Sequence, residues 1–135
     1  WMTAYKEILQ PTLEIGKFRF AKEENFTHWK NVQLQDGKTW WGGEPAGDLL
    51  TNYLRPGELT LYTIENRNDL IKNYRLIPDI NGNVTGYKKF WEANMDYNPE
   101  IVPVLLTYTD LLNTGDNRCR ETAQMIWDKY LTNEF

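Results

Sequence analysis

Between Pro103 and Ala123 an apolar segment, a helix stop and a helix restart are compressed into about two dozen residues, and this dictates how the chain must end. Val104, Leu105, Tyr108, Leu111 and Leu112 recur at offsets of 0, 1, 4, 7 and 8, the spacing of one helical face. Residues 113–116 (Asn-Thr-Gly-Asp) break that pattern, and Thr114 or Asp116 can accept a backbone N–H bond at the start of a second helix. That helix carries Cys119, Ala123, Ile126 and Tyr130 at offsets of 0, 4, 7 and 11, again one stripe. Two packed helices are therefore expected to close the chain.

A length of 135 residues predicts one domain with a single core. Six Trp and eight Tyr make that core bulky and argue against a disordered tail. Trp1 in place of an initiating methionine suggests an excised domain, and no signal peptide is visible. One Cys excludes an intrachain disulfide, and one Cys with one His cannot supply the usual four-ligand zinc site. Apolar runs are too short to cross a bilayer, so a cytoplasmic protein with no membrane partner is expected. The net charge of −4 is uneven, with balances of −2 over residues 1–65, +3 over 66–91 and −5 over 92–135. Such a chain lacks the broad positive field that drives DNA affinity, while Arg67, Lys72, Arg75, Lys88 and Lys89 form a local basic strip that is either a solvated face or a contact for an acidic partner.

Upstream, Trp1, Tyr5, Ile8 and Leu9 suggest a short helix halted by Pro11. Leu13, Ile15, Phe18 and Phe20 read as extended structure bent at Gly16, and residues 22–25 as a charged turn. Val32 and Leu34 alternate before an Asp36-Gly37 turn that favours a hairpin. Pro45 suits a first helical turn; Ala46, Leu49, Leu50, Tyr53 and Leu54 form one face, and Pro56 is the stop. Residues 58–64 alternate as a strand, with Leu59 and Leu61 on one side and Thr60 and Tyr62 on the other. Asn66 or Asn68 caps a helix that turns Leu70, Ile71 and Tyr74 inward. Residues 75–78 and 83–91 read as two strands joined by an Asn-Gly turn, with a polar loop over 92–100. The sum is an α+β (mixed α/β) single domain with a small sheet, a central short helix and a C-terminal helix pair.

Gly42, Gly43 and Glu44 stand at a helix entrance, where exposed N–H groups can receive an anion; equally, the glycines make a turn and Glu44 favours the positive helix end. No Lys-Ser/Thr pair follows, so this is not a phosphate loop. Asp110, Asp116, Arg118 and Glu121 gather near the break between the last helices. They can hold a metal or polar ligand, or else Asp116 caps, Arg118 pairs with Glu121 and Asp110 satisfies a backbone group. His28 and Cys119 lack the flanking elbow of a Cys–His nucleophile. Trp29, Trp40, Trp41 and Trp91 can stack on bases but suit a core. No catalytic residue, metal or cofactor is assigned.

The ordered motifs at 41–46 (Trp-Gly-Gly-Glu-Pro-Ala), 53–56 (Tyr-Leu-Arg-Pro), 75–84 (Arg-Leu-Ile-Pro-Asp-Ile-Asn-Gly-Asn-Val), 90–91 (Phe-Trp) and 105–118, with the Leu-x-Ile-Gly-x-Phe-Arg run at 13–19, resemble the AbiEi-type antitoxin regulators of type IV toxin–antitoxin systems. The resemblance spans nearly the whole chain. It implies a bacterial phage-defence regulator in two parts: an N-terminal winged helix that binds the operon's own promoter, and a C-terminal domain that neutralises a nucleotidyltransferase-like toxin, directly or indirectly. Residues 1–135 correspond to the second part, so promoter DNA is reached only through a winged helix outside them. The alternative is a divergent or inactive metal-dependent nuclease-like domain acting on nucleic acid. Its usual Glu-x-Lys pair is missing, since Glu58 is followed by Leu59 and Thr60.

Overall fold

The computed structural model describes residues 5–91 and 100–132; the expected contribution of Trp1 and nearly all of the expected polar loop lie outside them. A π-helical turn at Tyr5–Leu9 runs into α1 (Gln10–Leu13). Pro11 does not halt it, and the helical backbone continues to Leu13. The chain then extends as β1 (Glu14–Phe20), with a register shift between Glu14 and Gly16 that matches the expected bend.

After the short helix α2 (Glu24–Thr27), a single turn at Trp29–Asn31 seats Trp29 edge-on to Trp41, with ring centroids 5.2 Å apart. Val32 and Leu34 do not lead a hairpin. They lie outside any strand and pack half-buried against the core, while Gly37, at φ +71, turns the chain into β2 (Thr39–Gly42). Helix α3 (Gly43–Thr51) follows and ends at Asn52, a left-handed cap, ahead of Pro56. Tyr53 and Leu54, expected on its face, therefore lie beyond it; Leu54 is still buried, whereas Tyr53 is 41% exposed. In β3 (Leu59–Thr63) the alternation holds: Leu59 and Leu61 enter the main core, and Tyr62 joins Trp40, Val102 and Leu106 in a second cluster. Asn66 caps α4 (Arg67–Tyr74), its side chain accepting from the Asp69 N–H at 2.8 Å.

The strands β4 (Leu76–Pro78) and β5 (Val84–Lys88) exist, but they are not a hairpin. The sheet order is β2-β3-β5-β1-β4, so β1 lies between them. Phe18 of β1 pairs with Pro78 on one side and Val84 on the other; residues 79–83 therefore carry the chain across β1. The physical reason is local. An Asn-Gly hairpin turn needs positive φ at both residues, and neither Asn81 nor Gly82 adopts it. Instead Asp79 organises the turn, accepting the Asn81 N–H on its side chain at 2.9 Å and the Gly82 N–H on its carbonyl at 2.8 Å. Gly82 is needed for closeness: a Cβ there would sit 2.1 Å from the Phe18 carbonyl oxygen.

β3 and β5 are parallel; the other pairings are antiparallel. On the far side of β2, Trp41 is bridged to Ile101, its N–H donating to Glu100 O and its carbonyl accepting from Val102 N, both at 2.9 Å. The closing pair is α5 (Val104–Leu112) and α6 (Asn117–Ile126), the latter continuing as a π-helical turn at Trp127–Leu131. Of the two possible caps, Asp116 is the one used, accepting from Cys119 N at 3.1 Å. Cys119, Ala123 and Ile126 are buried as the stripe requires. A Cβ on Gly47 of α3 would lie 2.8 Å from Leu111 Cδ1 and 3.2 Å from Thr122 Cγ2, so α3 packs closely on both closing helices. Burying Leu70 and Leu111 completely contributes roughly 2 kcal/mol each.

Candidate functional site

The residues singled out above fall into separate places. Gly43, Glu44 and Asp110 share one cleft of about 280 Å³, together with Glu58, Thr60 and Tyr87. Both glycines are there because neighbours leave no room. A Cβ on Gly42 would lie 2.7 Å from the Tyr62 ring, and one on Gly43, whose φ is +52, would lie 2.9 Å from Thr60 Oγ1. Glu44 sits in the first turn of α3 and accepts the Gly57 N–H at 3.0 Å. Its carboxyl is raised above the ordinary range, first by burial and then by the charges of Glu58 and Asp116, against the lowering effect of the Gly57 and Glu58 N–H groups. Asp110 accepts the Tyr62 phenol at 2.8 Å and a longer contact of 3.5 Å from the Gln10 side chain, tying α5 to β3 and α1. Lys6, one turn before Gln10, donates to the Asn113 carbonyl. Tyr87 stacks on Tyr62 at 5.3 Å, and burial, then the charges of Glu14, Asp110 and Glu58, push its phenol up to about 12.

Arg118 and Glu121 lie elsewhere and do not pair with each other. Both engage Tyr53: the phenol donates to Glu121 at 2.5 Å, and the Arg118 guanidinium donates to the Tyr53 carbonyl at 3.0 Å while lying 5.2 Å from the ring centroid. The bond to Glu121 raises the phenol above its usual range. One aromatic side chain is thus held in place on the surface, with Met125, 38% exposed, one turn along α6.

The basic strip divides. Arg67, Lys88 and Lys89 line one groove of about 610 Å³ at the ends of β3 and β5. Arg75, left-handed at φ 53, closes α4 and lines a different groove beside His28, and Lys72 is exposed on α4. Cys119 is buried, which pushes its thiol up to about 11, against a nucleophile's need for thiolate. Trp29, Trp40 and Trp41 are all in the core.

Sequence reasoning missed Glu65. Its buried carboxylate accepts from the Thr39 hydroxyl, from Asn73 Nδ2 at 2.7 Å and from the Tyr74 phenol at 2.6 Å, joining β2, the end of β3 and α4. Burial and this bond raise Tyr74 to about 12. No periodicity marks such a network, because its members lie on three elements. Among the described residues no group of three His, Cys, Asp or Glu is placed to hold a metal ion, and no helix is long and apolar enough to cross a membrane.

A family model described as "Transcriptional regulator, AbiEi antitoxin, Type IV TA system" matches residues 1–132. Neither a curated protein nor a solved structure matches the chain.

Proposed function

The chain belongs to the AbiEi antitoxin family of type IV toxin–antitoxin transcriptional regulators, and from that premise we propose that residues 1–135 are the antitoxin domain of such a regulator, opposing a nucleotidyltransferase-like toxin through a binding surface and not a reaction. The single observation that carries the reading is the family match over almost the whole chain. The geometry supports a surface role. Asp110 is engaged by Tyr62 and Gln10, Glu44 by Gly57, and the thiol of Cys119 is buried, so these groups serve the fold. Tyr53, ordered by Arg118 and Glu121, has the composition of an interface anchor, where Tyr and Arg are enriched. Promoter recognition is assigned to a winged helix outside residues 1–135; the net charge of −4 is poorly suited to that task.

Growth rescue tests this. A nucleotidyltransferase-like toxin of the same family of systems is expressed in a bacterial host together with this chain, intact or as a Tyr53→Ala, Arg118→Ala double variant. Rescue by the intact chain, weakened by the exposed double substitution, is the expected result. Failure of the well-folded intact chain to rescue refutes the reading.

A further inference from the structure

The groove beside β5 combines three features that the hydrogen bonds and core packing leave unused. It opens at the carboxyl ends of the parallel neighbours β3 and β5, the position where open α/β sheets receive ligands. The chain leaving β3 turns there into α4, so the positive end of that helix faces the same opening. Arg67 and Lys88 are exposed and have no ion pair among the described residues. Lys89 lies over the rings of Trp40 and Trp91, at 4.9 and 5.5 Å, and has no ion pair among the described residues. Arg67 rests against Phe18, 5.8 Å from the ring centroid, in space that the missing Gly16 side chain leaves open. The lining also carries two apolar side chains, Ile15, half-buried, and Ile64, 62% exposed, beside the polar Thr63 and Asn66.

We infer that this groove docks an acidic peptide segment of a protein partner, with carboxylates on Arg67, Lys88 and Lys89 and one apolar side chain on Ile64 and Ile15. Charge complementarity selects the occupant. The strip is positive on a chain whose net charge is −4, so a short acidic segment is attracted locally, whereas a long polyanion is repelled by the rest of the molecule. Glu14 and the buried Glu65 carboxylate also line the groove and lower its positive potential without reversing it, since three cations stand against two carboxylates. An exposed isoleucine is of no use to phosphate, but it supplies the apolar contact that anchors a peptide. This inference rests on the reading of the chain as a surface-acting regulator.

The experiment is fluorescence anisotropy with the full chain and three labelled probes: a short Asp/Glu peptide with a central Leu, the same peptide with Ser in place of Leu, and an oligothymidylate of similar charge. The Leu peptide is expected to bind saturably, to weaken at least roughly ten-fold in the Arg67→Glu, Lys88→Glu double variant and several-fold in Ile64→Ser, and to weaken as salt rises from about 50 to about 300 mM. Circular dichroism confirms that the variants are folded. No saturable binding of the Leu peptide, indifference to the charge reversals, or equal binding of the oligothymidylate would overturn the inference. If growth rescue succeeds and the peptide fails, the groove assignment falls and the antitoxin reading stands.

Discussion

Replacing Gly82 by alanine tests the crossing of β1 most directly. The new methyl carbon would lie 2.1 Å from the Phe18 carbonyl oxygen and 2.4 Å from its carbonyl carbon, with Asp79 O at 2.9 Å. These are backbone atoms and cannot rotate away. Phe18 is also held from both sides, by Pro78 and Val84, so β1 can yield only by stretching its own ladder. Overpacking of this kind costs about 1–3 kcal/mol, and a backbone contact belongs at the upper end, about 3 kcal/mol. For a domain of this size that corresponds to a fall in Tm of roughly 10 °C. The control is Gly115→Ala, where φ is +78 and nothing lies within 4 Å, so that only the left-handed backbone is penalised, at about 1 kcal/mol. Urea unfolding of both variants gives the comparison, provided the slope is unchanged. The reasoning is refuted if Gly82→Ala loses less than about 1 kcal/mol, or no more than Gly115→Ala.

Three further outcomes follow from buried polar groups. Glu65→Ala removes the acceptor of Thr39, Asn73 and Tyr74 together, and should cost about 3 kcal/mol in urea unfolding, clearly more than Glu65→Gln, which keeps an acceptor oxygen. The folded-state carboxyl of Glu44 is raised, so its contribution is fully present below the unfolded value and is lost as pH rises through the folded one; Glu44→Gln should therefore increase stability at neutral pH while leaving it unchanged in acid, and a loss at neutral pH contradicts this. With Tyr74 and Tyr87 both near 12 against an ordinary 10, stability should decline between about pH 10 and pH 12 as the unfolded chain ionises first, and spectrophotometric titration of the phenols should show at least these two tyrosines retained as phenols up to that range.

Elements governed by periodicity were legible in the sequence. The closing pair follows from the stripes through Leu111 and Ile126, and the alternation of Leu59, Leu61 and Tyr62 sorts β3 correctly between its two apolar clusters. Elements governed by partners distant in sequence were not. The dipeptide Asn81-Gly82 is a strong hairpin signal, yet its glycine answers to Phe18, some sixty residues earlier, and no local rule carries that information. The candidate site shows the same division. Asp116 is a cap by local rule and proves so, while Arg118 and Glu121, which local rule pairs with each other, both turn to Tyr53 in the segment that follows α3. Glu65 was invisible because a buried carboxylate satisfied by hydroxyl and amide donors leaves no charged partner to search for.

The bridge between Trp41 and Ile101 has a consequence for how this molecule meets others. An exposed strand edge invites a foreign strand, in productive recognition or in aggregation. Here residues 100–102 occupy the free side of β2. The opposite edge, β4, is only three residues long and ends in Pro78, which has no N–H to offer. Strand addition is thereby discouraged at both sides of the sheet, and a regulator built this way must greet its partners with side chains and strand ends, through contacts that can be broken and remade without reopening a ladder of backbone bonds.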